Sequence, residues 1–268
     1  MENKFWFTAG CALIVFVVIC ALFAPVLAPY DPTQQNLDND LVVYSPAHFF
    51  GTDKLGRDIL SRTLYGSRIS LLVGATTVTA SLIIGLLVGS LAGYHGGWVD
   101  HSLMRLVDVL MAFPGILLAI AFSAVLGPGI DHVVLALCLI SWTGYARLVR
   151  GEILGLKEKE YIQAARAIGC TPTRVIVSHL FPNLLAPLMI QATFGLAAAI
   201  IAEGSLSFLG LGVEPPTPSW GSMLSEGRQF LLVAPHLTAY PGLALMITVL
   251  GLNLIGDGLQ GRLGSRGL

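Results

Sequence analysis

Long apolar runs separated by short polar stretches form the dominant pattern along this chain. A helix needs about 20 consecutive apolar residues to cross the hydrocarbon core of a bilayer. Six runs reach or nearly reach that length, so the pattern predicts six transmembrane spans at about 5–27, 69–94, 103–126, 132–149, 183–202 and 237–256. The first run is too long for the apolar region of a cleaved signal peptide, so we predict that it is a span.

The composition supports the same fold class. Of the 268 residues, 54% are hydrophobic and only 12% are charged, whereas soluble domains average about 25% charged residues. We therefore predict an all-α integral membrane protein with six transmembrane helices. The net charge of -1 argues against nucleic acid as a partner, because nucleic acid selects basic surfaces. The four cysteines have no spacing typical of a disulfide framework or a zinc site.

The distribution of Lys and Arg predicts the orientation in the membrane. Six basic residues lie at the end of the fourth span and in the polar segment that follows it, residues 150–182, whereas the loop between the fifth and sixth spans carries only Arg228. Lys4, Arg262 and Arg266 add positive charge at the chain ends. Both termini and the polar segment are therefore expected in the cytoplasm, with outer loops at 28–66 and 203–236.

One group of charges disagrees with this orientation. The first outer loop and the start of the second span carry four basic residues: Lys54, Arg57, Arg62 and Arg68. Asp53 and Asp58 lie beside them and can neutralise part of that charge. Two interpretations of Asp53, Arg57 and Asp58 stay open, which are a solvated interfacial helix held by local Asp–Arg pairs and an outer gate or docking surface. In this region Thr52 or Asp53 is expected to cap a short helix.

The second outer loop, residues 203–236, is rich in glycine and proline but keeps several large apolar residues. Glycine and proline end regular helices, so this loop is expected to turn on or within the membrane surface. Trp220 is a candidate interface anchor. The alternatives for the loop are a simple interfacial turn and a cup that closes over a pore or receives a partner.

The polar segment reads as two short helices separated by a glycine. Glu160 suits the N-terminus of the first helix, and Ala164 and Ala165 are small enough to let another backbone approach closely. Gly169 is well placed after the helix end, and Thr171 followed by Pro172 predicts the N-cap and first residue of a second helix. A plain connector needs less structure than this. The pattern therefore favours a site where a partner docks, with a cytoplasmic connector as the alternative.

Four polar residues near the spans are candidates for a pathway or gate. Asp108 lies at the start of the third span, where it can either pair with Arg105 or serve the pathway, because carboxylates within membranes suggest function. Glu203 is expected to be an interfacial carboxylate, with an outer vestibule as the alternative. Asn253 and Asp257 lie one turn apart and are expected to tie the sixth span to a neighbour.

The short motifs of this chain resemble those of a known family. The polar segment carries the Glu-Ala-Ala…Gly pattern of that family at Glu160, Ala164, Ala165 and Gly169. The other matching segments are 51–58, 68–71, 96–100, 112–114, 206–212, 219–221 and 253–259. With these motifs the chain resembles a permease subunit of the dipeptide/oligopeptide/nickel class of bacterial ABC importers, of the DppC, OppC and NikC kind.

The resemblance implies a fold and a set of partners. The chain would be a single permease domain, residues 1–268, with the fold of type I-like ABC importers, in the inner membrane of a bacterium. It would pair with a homologous second permease, two ABC ATPase subunits and an extracytoplasmic substrate-binding protein. No cofactor is expected in this chain, since ATP and Mg²⁺ would bind to the ATPases.

The resemblance also implies roles for residues. The residues expected to couple ATPase motion to the spans are Glu160, Ala164, Ala165, Arg166, Gly169, Thr171, Pro172 and Arg174. The outer candidates for docking the binding protein are Asp53, Arg57, Asp58 and Trp220. We expect di- or oligopeptides as cargo, with nickel or another metal chelate as the alternative.

Other classes of function fit the sequence less well. A stand-alone secondary transporter needs its own coupling-ion site, often at broken helices in two repeated halves, and no clear internal repeat is seen. The sequence contains no Gly-Lys-Ser/Thr phosphate loop, no His-Glu-x-x-His and no Gly-x-Ser-x-Gly. The chain is therefore not expected to be an enzyme.

Overall fold

The computed structural model describes residues 2–264, with side chains from 4 to 262. Met1 and residues 265–268, including the charge of Arg266, lie outside the described residues. The described part is nearly all helical. Its helices are α1 (Glu2–Leu22), α2 (Ala24–Leu27), α3 (Ile59–His95), α4 (Gly97–Met111), α5 (Gly115–Leu126), α6 (Ile130–Leu156), α7 (Glu160–Ala167), α8 (Pro172–Val175), α9 (Phe181–Phe208), α10 (Trp220–Gly227) and α11 (His236–Gly264).

Among the described residues, five helical stretches are long and apolar enough to cross a membrane, and the number becomes six if one bent pair of helices is counted as a single span. The five are Lys4–Leu22, Ile59–His95, Ile130–Leu156, Pro172–Phe208 and His236–Arg262. Many large apolar side chains lie on the outside of the bundle, such as Leu87 and Val125, because lipid rather than water is the solvent there. The prediction of an all-α membrane fold is confirmed.

The bundle has two ends that differ in character. The polar-segment end contains residues 150–182, and the ring of Tyr94 near the end of α3 lies under the Arg166 guanidinium there, 4.8 Å away. The loop end contains residues 28–58 and 209–235, and the indole of Trp220 donates to the Thr63 carbonyl near the start of α3. The long helix α3 therefore runs from the loop end to the polar-segment end.

Glycines let α3 and α6 pack closely. Gly85, Gly89 and Gly93 recur every four residues on α3 and face α6. A Cβ at Gly89 would lie 2.7 Å from the Cβ of Val149, which is nearer than real side chains approach. Small residues allow such contact between membrane helices, where dispersion rather than the hydrophobic effect drives association. The other long helices pack in the same way, since Gly10 of α1 lies against the backbone of α11.

The predicted third span, 103–126, is not one straight helix. The chain bends by 82° between α4 and α5, and the bend lies at residues 112–114. Pro114 has no backbone N–H and disfavours helical geometry in the residue before it, so the helix breaks there. The hydropathy of residues 103–126 correctly indicated an apolar segment. An average over the segment cannot show that the helix axis changes direction within it.

The two predicted outer loops are shorter than expected. Asp58 caps α3 by accepting from the Ser61 backbone N–H at 2.7 Å, so residues 59–66 are helix, and the cap is neither Thr52 nor Asp53. At the other loop, α9 continues to Phe208, so residues 203–208 are helix as well. The polar residues in these two helical segments do not interrupt the helices, because their side chains have partners within the bundle.

The second helix of the polar segment is also not separate. Its first turn, α8, continues through a π-helical turn at Ile176–Leu180 directly into α9. Pro182 lies within this stretch, directly after the π-helical turn, and does not break it. The last part of the polar segment, from Pro172, is therefore built into the end of one 37-residue helix, Pro172–Phe208.

A buried ion cluster fastens the loop end. Arg57 donates to Asp53 and to Glu226 of α10, both at 2.6 Å, and Arg62 lies 3.3 Å from the same Glu226 oxygen. Arg57 is 2% exposed and Arg62 1%. Asp58 pairs with His48 at 2.9 Å. The cluster joins the first outer loop, the start of α3 and the second outer loop.

This burial contradicts the solvated helix and the docking surface predicted for the first outer loop, whereas the predicted local pairing of Asp53 with Arg57 is confirmed and the outer gate stays a prediction. Asp53, Arg57 and Asp58 form neither a solvated interfacial helix nor an exposed docking surface, because all three are buried. Trp220 is not an interface anchor, since its side chain is 1% exposed and packed in the core. The acid that draws the arginines inward, Glu226, lies 169 residues from Arg57 in sequence.

We predict that Gly85→Ala lowers the thermal stability of the protein. The added Cβ collides with Tyr145, and overpacking of this kind costs roughly 1–3 kcal/mol. Gly151→Ala in α6 is the matched control, because its Cβ meets nothing within 4 Å and alanine favours helix over glycine. Thermal unfolding of the purified protein in detergent measures both. Equal melting midpoints for the two variants would contradict the close packing of α3 and α6.

We also predict that Glu226→Gln destabilises the loop end. The change leaves two buried guanidinium groups with one carboxylate, and breaking a buried pair costs roughly 3–5 kcal/mol. The control is Glu214→Gln, an exposed carboxylate in the same loop. The melting midpoint should fall for Glu226→Gln and stay unchanged for Glu214→Gln. A Glu226→Gln protein with the parental midpoint would show that the cluster adds nothing to stability.

Candidate functional site

The polar segment ends its first helix with a complete Schellman motif. Gly169 has a φ of +84°, the left-handed conformation that glycine adopts without strain. Its N–H donates to the Arg166 carbonyl at 3.0 Å, and the Cys170 N–H donates to the Ala165 carbonyl at 3.1 Å. Both bonds satisfy carbonyls that the helix end leaves free. The glycine therefore ends α7 at the position that the sequence predicts.

The next helix begins as its sequence predicts. The Thr171 side chain accepts from the Arg174 backbone N–H at 3.4 Å, and Pro172 is the first helical residue. The two capped ends, only a few residues apart, hold the turn between them in one geometry. Thr171, Pro172 and Arg174 are all exposed, so this turn lies on the surface of the chain.

Two buried side chains anchor the polar segment to the spans. Ile162 of α7 and Val175 of α8 are both 0% exposed. They belong to one apolar cluster with Val149 and Ile153 of α6 and with Leu184 of α9. Because the segment is packed against the ends of two spanning helices, it cannot be displaced without moving α6 and α9.

None of the described residues covers the outer face of the polar segment. Glu160, Ala164 and Ala167 are exposed, and the large apolar side chains Tyr161 and Ile168 are 47% and 82% exposed. Tyr161, Ala164 and Ile168 are spaced at i, i+3 and i+7 and so share one face, and a contiguous exposed apolar patch is typical of a surface that meets another protein.

One of the predicted coupling residues, Ala165, faces the chain rather than a partner, and a second, Arg166, contacts the chain although it is exposed. Ala165 is 6% exposed and packs inward, so only Ala164 and Ala167 provide the expected small-residue face. Arg166 lies over the Tyr94 ring of α3, a cation–π contact that holds α7 against a third spanning helix. In so short a helix, the sequence pattern could not distinguish the face that packs on the chain from the face that is exposed.

Ion pairs join α4 to α6 at the same end of the bundle. Arg150 binds Asp100 through both carboxylate oxygens, at 2.5 and 2.6 Å. Arg147 donates to Asp108 at 2.7 Å, so the expected Arg105–Asp108 pair is wrong. The bend between α4 and α5 places α4 beside α6. Asp108 therefore lies nearer to Arg147 of α6 than to Arg105 of its own helix.

Glu203 is neither interfacial nor in a vestibule. Its side chain is 0% exposed and accepts from the Ser70 hydroxyl at 3.0 Å and the Ser207 hydroxyl at 2.8 Å. Both predictions for this residue are wrong, because α9 continues past it and encloses it against α3. It ties those two helices together near the loop end.

Asn253 and Asp257 of α11 do not form the tie that was expected of them. Asn253 is partly buried and Asp257 is exposed, and among the described residues neither side chain has a hydrogen-bond partner. The four candidates for a pathway or gate are therefore not brought together, since Glu203 lies at the loop end and Asp108 on α4. The described residues also contain no group of three or more His, Cys, Asp or Glu that could hold a metal ion.

Sequence comparison identifies the family. Residues 85–266 match the model of the family described as "Binding-protein-dependent transport system inner membrane component", and residues 6–46 match "N-terminal TM domain of oligopeptide transport permease C". The chain is 45% identical over 251 residues to the dipeptide transport system permease protein DppC of Alkalihalophilus pseudofirmus, covering 94% of this chain and 83% of the relative. It is 46% identical over 249 residues to the glutathione transport system permease protein GsiD of Escherichia coli, covering 92% and 82%.

Structure comparison agrees on the fold. The chain resembles a solved structure of the MetNI methionine ABC transporter in an inward-facing conformation, with a TM-score of 0.58. The match covers 76% of this chain and 94% of that chain at 21% sequence identity, so it supports the fold alone. The chain therefore belongs to the family of binding-protein-dependent transport system inner membrane components, as a multi-pass permease subunit of an ABC importer that leaves ATP hydrolysis to separate subunits.

Proposed function

We propose that this permease forms half of the translocation pathway for di- or oligopeptides. It pairs with a homologous second permease, receives cargo from an extracytoplasmic binding protein and is driven by two ABC ATPases, which bind ATP and Mg²⁺. The names of two relatives support this class of cargo, since one is a dipeptide permease and the other a permease for glutathione, a tripeptide. No observation favours nickel or another metal chelate over peptides.

The anchored polar segment is the observation that carries the coupling role. Its outer face exposes Ile168, Ala164 and the capped turn at Gly169, while Ile162 and Val175 hold its inner face to α6 and α9. A groove on an ATPase that takes this short helix buries the exposed apolar face. A movement of that groove is then passed to two spanning helices. The proposed orientation places this segment and both termini in the cytoplasm, where ATP is available.

The subunit composition and cargo of the native complex test this function. We expect affinity purification of this chain from its own membranes, under gentle conditions, to retain a second permease and ATPase subunits. With the binding protein added, the assembled importer in liposomes should take up short peptides when ATP is supplied on the ATPase side. Recovery of the chain alone, or uptake of a metal chelate but not of peptides, would overturn the proposal.

We predict that Gly169→Glu blocks coupling. The substituted side chain adds charge at the turn and strains a backbone with φ of +84°. Uptake should fall roughly tenfold or more, because a loss of about 1.4 kcal/mol in docking already weakens binding by that factor. ATP-driven uptake, at matched abundance of the complex, is the measurement.

Gly169→Asn is the matched control for this variant. Asparagine is uncharged and tolerates the left-handed conformation better than other residues. A Cβ at this position meets nothing within 4 Å in the chain. We expect the Asn variant to retain most of its uptake. Normal uptake by Gly169→Glu, at normal abundance, would argue against docking at this turn.

A further inference from the structure

A polar cavity of about 390 Å³ lies between α4 and α6 at the polar-segment end. Met104 is its one apolar lining residue. The other six are titratable and come from both helices: Asp100, His101, Arg105, Asp108, Arg147 and Arg150. The cavity is large enough for part of a short peptide. Its lining differs from the apolar lining of the chain's other large cavities.

The charges of this cavity do not balance. Its three arginines face two aspartates, and Asp100 is fully used by Arg150 through both oxygens. Asp108 uses only Oδ1, which accepts from a single nitrogen of Arg147. Arg105 has no carboxylate partner among the described residues. One guanidinium and one carboxylate oxygen thus remain available to a ligand that carries both charges.

The exposure of these groups indicates that the cavity opens to water. The side chain of Asp108 is 57% exposed and that of Arg147 is 50% exposed. Arg147 lies in a stretch long and apolar enough to cross a membrane, and Asp108 lies on one arm of the bent pair. A charged side chain facing lipid costs about 2.5–3.5 kcal/mol or more. These groups therefore face an aqueous passage or a polar partner rather than lipid.

We propose that this cavity is a transient binding site for the charged ends of a peptide during its passage. Arg105 and Arg147 bind the terminal carboxylate, because guanidinium groups match carboxylates in charge and geometry. Asp108, released from Arg147, takes the amino terminus. The inference rests on the proposed function. Binding replaces the half-exposed ion pair between Asp108 and Arg147 with two contacts to the cargo. Because one interaction is lost as the others form, the site holds the peptide weakly enough to release it.

Peptide binding to the assembled importer tests the site directly. The complete complex is placed in nanodiscs without ATP and without binding protein, and binding of radiolabelled trialanine is measured at equilibrium. We expect Arg105→Gln to weaken binding at least tenfold, the equivalent of roughly 1.4 kcal/mol. Trialanine amide, which lacks the carboxylate, should bind the parental complex correspondingly weakly and should not respond to Arg105→Gln.

Arg228→Gln is the matched control, since Arg228 is an exposed arginine at the loop end and does not line the cavity. It should leave trialanine binding unchanged. A second variant, Arg147→Gln, should weaken binding as well, although it also breaks the pair with Asp108. If trialanine binds equally to the parental, Arg105→Gln and Arg147→Gln complexes, the charges only hold α4 to α6 and the site is overturned.

Uptake separates failure of the site from failure of the proposed function. If the parental importer takes up peptides with its binding protein, but Arg105→Gln leaves trialanine binding unchanged, only the site is wrong. If the parental importer takes up no peptide, the peptide function itself is wrong, and the proposed ligand with it. A parental complex that takes up peptides but binds trialanine and its amide equally well also contradicts recognition of the carboxylate.

Discussion

The bilayer core supplies no hydrogen-bond partner to a polar group, and this constraint determines how the chain is built. Every crossing stretch is helical, because only a helix satisfies its own backbone there. Helices then gain contact through small residues, as Gly85 and Gly89 do against α6. Charged groups are paired between helices, as Asp100 and Arg150 are, or enclosed with hydroxyl groups, as Glu203 is.

Direct contacts between side chains connect the polar segment, at one end of the bundle, to α4 and to the loop end. Ile162 and Val175 fix the segment to α6 and to the long helix Pro172–Phe208. Two ion pairs on α6 hold α4, so displacement of α6 reaches the bent pair α4–α5. The long helix carries Glu203 at its other end, where Ser70 of α3 binds it. A movement at the polar segment is thus linked by direct contacts to the loop end.

Features encoded by neighbouring residues could be predicted from the sequence, and features that depend on distant residues could not. The apolar runs located the spans, and Gly169, Thr171 and Pro172 gave the helix ends of the polar segment, since capping depends on residues a few positions apart. The local partner of Arg57, Asp53, was predicted, but its partner Glu226 on α10 and the partner of Asp108 on α6 were missed because they lie on other elements. The bend at Pro114 had a local signal, the proline itself, but average hydropathy concealed it.

Burial gives similar ion pairs opposite roles at the two ends. At the loop end, Arg57 and Arg62 are almost fully enclosed. Removing their carboxylate partners would leave desolvated charges, so the cluster holds the segments of the loop end together rigidly. At the polar-segment end, Asp108 and Arg147 are half exposed. Water competes for such a pair, and its net stability is on the order of 0–1 kcal/mol. The proposed replacement of Asp108 by a peptide carboxylate therefore costs little, which the enclosed cluster at the other end does not permit.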